Sequence, residues 1–464
     1  MKALLFILFS VSILIAQSQT KQQQIFAVNE FINQVKQFHP VAKQANLQID
    51  KAKAELTSAK GAFDPIAGFN ASRKTFNGKN YYYYTNPELK IPLPVGDIKT
   101  GLENNGGNYL SSEESVGKTS YLGIELPLAK GLILDKRRAV LQQAKIFQKQ
   151  SEQERLKMLN DLLYNAYVTY IQWAGAYQLN ALYSRYLQIS NDRVRLVKIS
   201  TANGDKSFMD TLEAYTQVQN FQLLQSDALM KLNTASLDLS GYLWQQNDST
   251  YLVSEYYIPD TAFLEKYTQN ISSLDDMVNT SLQTNPAVLS YNSKIEILEV
   301  ERKLKKQSLL PTINAKANLL SKDYLVLKGI STTMLENNYK WGVDFKIPIF
   351  LREARGDYAK AKLKIDETNL DLTQKKWEIE NKVRNYFNEF VQLQQQLKTI
   401  EAAYNNYNSL YKNELLKFNN GESSLFLVNA REIKSLEALQ KTIELKVKFF
   451  KAKYSIEWAA GVLR

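Results

Sequence analysis

Ten prolines punctuate this chain, and the gaps between them constrain its fold more than any other feature. None lies between Leu128 and Ile258, and none follows Ile349. Ordinary compact domains turn often and use Pro and Gly to do so. Two Pro-free runs of this size predict helices too long for a globule. From Ile349 to Asn420 only Gly356 interrupts a sequence rich in Leu, Lys, Glu and Gln, all good helix formers. At 1.5 Å per residue such a helix reaches roughly 100 Å.

The apolar spacing within that run is 4-3-4-3, through Ile379, Val383, Tyr386, Phe390, Leu393, Leu397, Ile400, Tyr404, Tyr407 and Tyr411. This is the seam of a left-handed coiled coil, where a lone surface helix would drift toward 3.6. The run from Leu128 to Asn203 repeats the register more loosely, with Leu162, Ala166, Trp173, Tyr183 and Leu187. Gly204 and Gly421 stand where each helix should turn back, since glycine accepts positive φ. Return helices are expected over Phe208–Leu243 and Leu425–Val462.

The two runs belong to a duplication. Pro40 to Pro65 and Pro286 to Pro311 each span 25 residues. Glu125-Leu126-Pro127-Leu128 answers Lys346-Ile347-Pro348-Ile349, and Arg138 to Gly204 keeps the same register as Arg355 to Gly421. Between the prolines and the long runs lie alternating stretches. Tyr339, Trp341, Val343, Phe345 and Ile347 share one face of a strand, and Lys340, Gly342, Asp344 and Lys346 the other. Ile313–Leu319 and Leu122–Leu126 alternate likewise, and Ala67, Phe69 and Ala71 begin a weaker strand. Four strands with aromatics near their ends (Phe76, Tyr121, Tyr324, Tyr339, Trp341) fit a one-sided soluble sheet or a transmembrane β-barrel with an aromatic girdle. About 25 extra residues between Pro65 and Pro127, including Tyr81–Tyr84 and Asn104-Asn105-Gly106-Gly107, read as a longer extracellular loop.

Met1-Lys2, the apolar run Ala3–Ile15 and small residues before a cut after Ser18 read as a secretory leader. That leader favours the barrel. Four strands cannot close one, and open edges cannot sit in lipid, so copies must share a barrel; two, three or four copies would give eight, twelve or sixteen strands. Composition narrows the chemistry. The chain has no Cys and one His, which removes disulfides, thiolate catalysis and most His-based metal and triad chemistry. His39 beside Pro40 reads as a structural histidine. The net charge of +11 is spread over interleaved Lys and Glu, a solvated surface rather than a nucleic-acid site.

The order and spacing of these features resemble the TolC-type outer-membrane efflux protein family over essentially the whole mature chain. The resemblance rests on the duplication, on Asn285-Pro286 with Pro311, on Pro348-Ile349-Phe350 followed by Arg352 and Arg355, and on the tip Gly204-Asp205-Lys206-Ser207-Phe208-Met209-Asp210-Thr211-Leu212-Glu213-Ala214. It implies a mainly α fold with a transmembrane β-barrel part: two repeats, each a long coiled-coil hairpin, with four strands given to a shared trimeric barrel of twelve. The expected organisation is a leader at 1–18, repeat 1 at 19–244, a linker and equatorial segment at 245–274, and repeat 2 at 275–464.

The resemblance further implies a non-enzymatic exit duct in the outer membrane with a large periplasmic part. Its expected partners are two further copies, outer-membrane lipid, a periplasmic adaptor and an inner-membrane pump of the resistance–nodulation–division or ABC type; no cofactor and no nucleic acid are implied. Gly204, Ser207, Gly421 and Ser424 become candidate docking tips. Asp210 and Glu213, with Glu422, become aperture candidates, although Leu427 and Ala430 occupy the matching second-repeat positions and Asp210 and Glu213 equally suit a helix N-terminus. Lys316, Lys340, Asp344 and Lys346 become lumen candidates. The rival readings are a soluble periplasmic coiled-coil adaptor or scaffold, and an enzyme confined to carboxylate chemistry that no residue pair singles out.

Overall fold

The computed structural model describes residues 24–253, 256–266, 273–324 and 338–464. The leader and part of the linker lie outside them. The duplication is plain in the helices. In the first half α1 (Val28–Phe38), α2 (Pro40–Lys60), α3 (Lys136–Ala202) and α4 (Phe208–Ser240) have 11, 21, 67 and 33 residues. In the second, α5 (Leu274–Thr284), α6 (Pro286–Gln307), α7 (Arg352–Asn419) and α8 (Leu425–Ala460) have 11, 22, 68 and 36. Pro40 and Pro286 open their helices at the first position, where proline's missing N–H costs nothing. α3 starts later than its Pro-free run because Gly131 takes φ 89° in the preceding turn.

Among the described residues the strands are β1 (Gln24–Phe26), β2 (Ile66–Phe76), β3 (Lys79–Pro92), β4 (Asp97–Asn105), β5 (Gly117–Pro127), β6 (Tyr257–Pro259), β7 (Thr312–Lys322) and β8 (Tyr339–Lys346). They form a parallel pair, β1–β6, and an antiparallel sheet in the order β2-β3-β4-β5-β7-β8. The sheet therefore has six strands where four were expected. The segment expected to be an extracellular loop instead forms β3 and β4, each bonded on both sides. Two local causes are visible. Asn77 and Gly78 both take positive φ, so β2 and β3 join in a two-residue turn that pairs them at once. Leu89, Ile91 and Ile98 alternate with Glu88, Lys90, Asp97 and Lys99, giving the added hairpin one apolar and one charged face. The β3–β4 ladder lapses between the pairs Glu88–Gly101 and Tyr83–Gly106, and Pro87, which has no N–H to give, sits at that lapse.

The chain divides into two compact units, each assembled from both halves. The first comprises residues up to 46, 155–286 and 376–464, and the second 47–154 and 287–375. In the first unit Trp173, Tyr170, Phe31 and Phe26 are buried together, and the Tyr170 hydroxyl donates to the Phe26 carbonyl (2.6 Å) while accepting from the Asp260 amide (3.0 Å). This anchors β1 and the segment after β6 on α3. The seam expected from the 3.5-residue repeat is present over its first part, where Ile379, Val383, Phe390, Leu393 and Leu397 are buried, whereas Tyr407 nearer the tip is exposed. Gly461 (φ 75°) ends α8 where a Cβ would stand 2.7 Å from Pro286 and 2.9 Å from the Asn285 amide, which donates to the Ala459 carbonyl. His39 is structural: its ring stacks on Tyr242 at 5.6 Å, its Nδ1 accepts from the Val41 amide, and burial holds its basicity below the usual value.

In the second unit Ala139 of α3 and Leu134 of the turn before it are buried with Val300 of α6, and Ser290 joins Glu154 (2.7 Å). Lys305 of α6 meets Asp357 of α7 at 2.6 Å.

Candidate functional site

Two regions hold the residues singled out above, one in each unit.

The sheet of the second unit has two unlike faces, set by register. Tyr121, Gly123 and Glu125 of β5 lie opposite Gly101, Lys99 and Asp97 of β4 and opposite Leu320, Asn318 and Lys316 of β7. In antiparallel pairs opposed residues point the same way, so one face gathers the charges. Lys316 pairs with Asp344 at 2.7 Å and approaches Glu125 at 3.9 Å, and Lys99 meets Glu125 at 2.8 Å. Asp97 holds Lys90 (3.0 Å) and Arg137 (2.7 Å). Lys340 and Lys346 share this face, and Lys340 also donates to the Glu113 carbonyl at 3.1 Å. All four lumen candidates thus lie together on the charged face. Tyr121 does not join the aromatic side: it is 8% exposed on the charged face, and its hydroxyl donates to Glu88.

The opposite face is apolar and bare. Trp341 is 71% exposed, Phe69 70% and Phe345 62%. Val343, Leu122, Ile124 and Leu319 are exposed beside them. A surface of that composition does not face water in an isolated protein.

At the other region, in the first unit, the hairpin tips are built alike. Gly204 (φ 85°) and Gly421 (φ 82°) follow the helix ends, and a Cβ on either would meet nothing within 4 Å. The Asp205 amide reaches back to the Ser200 carbonyl and the Glu422 amide to the Lys417 carbonyl, both at 2.9 Å, the six-to-one bond of a Schellman end. Ser207 and Ser424 then cap α4 and α8. In the first tip Asp210 completes a capping box with Ser207. Its carboxylate therefore has the helix-starting role. Glu422 is exposed, and Glu213 accepts from the Asn429 amide at 3.2 Å. Phe208, Met209 and Phe426, just past the caps, are exposed at 74%, 70% and 66%.

Glu213 leads to a cluster that sequence reasoning missed. Arg193 of α3 donates to both carboxylate oxygens of Glu432 on α8 (2.6 and 2.7 Å), to Asn429 (3.0 Å) and to the Tyr411 oxygen (3.2 Å). The Tyr411 hydroxyl in turn donates to Glu432 at 3.0 Å. The side chains of Arg193 and Glu432 are only 11% and 1% exposed. Burial opposes the charge on Arg193, but the hydrogen bonds and field of Glu432 hold its proton more firmly than usual. Burial and the Glu432 carboxylate together push the Tyr411 hydroxyl well above the ordinary phenol range. The cluster ties three helices together just behind the tips. The available signal was a carboxylate at a seam position, since Val428, Glu432, Ser435 and Leu436 are all buried along one stripe of α8.

Among the described residues no group of His, Cys, Asp or Glu is placed to hold a metal, and no helix is long and apolar enough to cross a membrane.

Comparison with known proteins agrees with this architecture. Residues 277–461 match the family described as outer membrane efflux protein. No curated protein sequence matches the chain. Among solved structures, the CmeC outer membrane channel of Campylobacter jejuni is similar with a TM-score of 0.64 at 16% identity, covering 94% of this chain and 86% of that one. The open state of the MtrE outer membrane channel of Neisseria gonorrhoeae gives 0.66 at 12%, covering 94% and 89%. The outer membrane protein VceC of Vibrio cholerae gives 0.63 at 14%, covering 94% and 96%. At these identities the likeness is one of fold.

Proposed function

We propose that the chain is a member of the outer membrane efflux protein family, whose model matches residues 277–461, and that it is a passive exit duct carrying solutes across the periplasm and outer membrane. The observation that carries this reading is the two-faced sheet: a bare apolar face fit for lipid and a charged face fit for a water-filled lumen, on a chain whose remainder is two long helical hairpins. Channels of this family assemble as trimers in tripartite systems. The duct performs no bond chemistry; its partner pump supplies the energy. Lys316, Lys340, Asp344 and Lys346 line the lumen and set its electrostatics. Gly204, Ser207, Gly421 and Ser424 shape the tips, and the exposed Phe208, Met209 and Phe426 beside them offer an apolar docking surface for a periplasmic adaptor, behind which stands a resistance–nodulation–division or ABC pump. The Arg193–Glu432 cluster clamps the helices behind the tips and so holds the periplasmic end narrow, with Glu213 attached to it through Asn429.

Fractionation tests the reading. A duct is recovered from outer membranes as heat-modifiable trimers, and its deletion raises retention of the exported solute. Release of the protein by osmotic shock would instead make it a soluble periplasmic scaffold.

A further inference from the structure

We propose, resting on that reading, that each copy inserts all six strands of its sheet into the shared barrel, so that β8 of one copy pairs with β2 of the next and three copies close a wall of eighteen strands rather than twelve. Four observations lead there. First, β3 and β4 are wall strands by pattern, not a lid. Leu89, Ile91 and Ile98 fall on the apolar face with Leu122 and Ile124, while Glu88, Lys90, Asp97 and Lys99 fall on the charged face with Glu125. A hairpin folded into a lumen would have no use for an apolar face in line with the lipid side.

Second, the added hairpin separates β2 from β5. β2 is bonded to β3 through eleven residue pairs and β4 to β5 through nine. A twelve-stranded wall needs β2 directly against β5, and thus needs both ladders broken.

Third, β2 and β8 are the two edges of the sheet, and among the described residues neither is bonded to a further strand. β2 is exposed along its whole length, and β8 exposes Tyr339, Trp341, Val343 and Phe345. Among the described residues neither edge carries the proline or cover that blunts an edge in water, and neither can stay unpaired in lipid. The occupant is a second copy of this chain, because β2 and β8 run in opposite directions and a head-to-tail ring makes every junction antiparallel.

Fourth, the register closes at an ordinary tilt. Across the ladders Ile66 is level with Lys90, Lys99, Gly123, Asn318 and Lys340. Matching the helix-proximal ends, the first residue of β2 and the last of β8, pairs Lys346 with Ile66 of the next copy. Gly342 then faces Asn70, and Lys340 faces Ser72, each charged-face residue meeting another. The implied stagger, from Lys340 to Lys346 over six strands, gives a tilt of roughly 35° at about 3.4 Å per residue and 4.8 Å per strand, inside the range of known barrels. The wall would measure roughly 34 Å between opposite backbones, against roughly 22 Å for twelve strands at the same tilt.

The chain has no cysteine, so paired replacements report cleanly. The double variants Gly342→Cys/Asn70→Cys and Trp341→Cys/Ala71→Cys, one step apart along the junction, sample both kinds of antiparallel pair. With oxidant in outer membranes, at least one should shift the denatured chain to two- and three-copy species on non-reducing gels. Asn70→Cys combined with Cys at Tyr121, Gly123 or Glu125 should give no bond within a chain, since three strand spacings, about 14 Å, exceed disulfide reach. Outer-membrane trimers that form the β2–β5 bond, or that form neither bond between copies, overturn the eighteen-stranded wall and leave the duct intact. Absence of outer-membrane trimers from the unmodified chain overturns the duct reading itself. Electron cryomicroscopy of the unmodified trimer provides the count directly: eighteen strands uphold the proposal and twelve refute it.

Discussion

Removing the guanidinium of Arg193 should loosen the hairpin tips by a predictable amount. In Arg193→Met, Glu432 stays 1% exposed and loses both of its shortest hydrogen bonds, keeping only the Tyr411 hydroxyl at 3.0 Å. Asn429 loses its donor as well. Breaking one side of a buried pair costs about 3–5 kcal/mol, whereas replacing both partners with apolar groups of similar volume is often close to neutral. Arg193→Met and Glu432→Leu alone should each destabilise the tip, and the double variant should recover most of the loss. Amide exchange near 189–211 and 411–436 reads this locally, because such segments open sub-globally. At 1.4 kcal/mol per decade, each single variant should exchange at least roughly 100-fold faster there, and the double variant within about tenfold of the parent. The duct reading adds that the single variants conduct more ions in lipid bilayers than the parent. Single variants exchanging within about threefold of the parent, or a double variant as loose as either, would refute the clamp.

Three further outcomes follow from the same geometry. Gly204→Glu and Gly421→Glu force a bulky side chain into positive φ, a strain of about 1–2 kcal/mol, and place charge at the tips; trimers should still reach the outer membrane while solute efflux is lost, and undiminished efflux would remove the tips from docking. Val343→Lys on the apolar face should lower folding stability in lipid by about 2–4 kcal/mol if it sits near mid-bilayer, while Asp344→Asn beside it should change ion selectivity more than stability; equal losses for both would show the faces misassigned. Burial raises the pKa of Glu457 on α8. A carboxyl whose folded value is raised binds its proton more tightly folded than unfolded, so its unfavourable contribution grows as pH rises from the unfolded value through the folded one. Glu457→Gln should therefore raise Tm at neutral pH and leave it unchanged well below the usual carboxylate range; no gain at neutral pH would contradict the burial argument.

The long helices were legible because their signals act locally. Absence of proline and the 3.5-residue seam operate within the chain itself, and Val383 and Leu397 are buried as the spacing requires. The turns at Gly204 and Gly421 were legible for the same reason. The extra hairpin was not. Tyr81–Tyr84 place tyrosines on both faces, which hides the alternation, and Pro87, Pro92 and Pro94 imitate a loop. Only pairing with β2 and β5 reveals those strands, and pairing is a long-range fact. The Arg193–Glu432 cluster was hidden differently. On helices full of Lys and Glu a charged residue reads as solvated surface, and only the packing of α3 against α8 buries this one. Asp210 was visible, and its bond to Ser207 gives it a role at the helix start.

Ion conductance across a planar bilayer tests the central claim most directly. Purified trimers should insert and give discrete conductance steps without nucleotide or any second protein, and the steps should rise in Arg193→Met. Trimers that insert yet give no steps in either form would contradict a duct through this assembly.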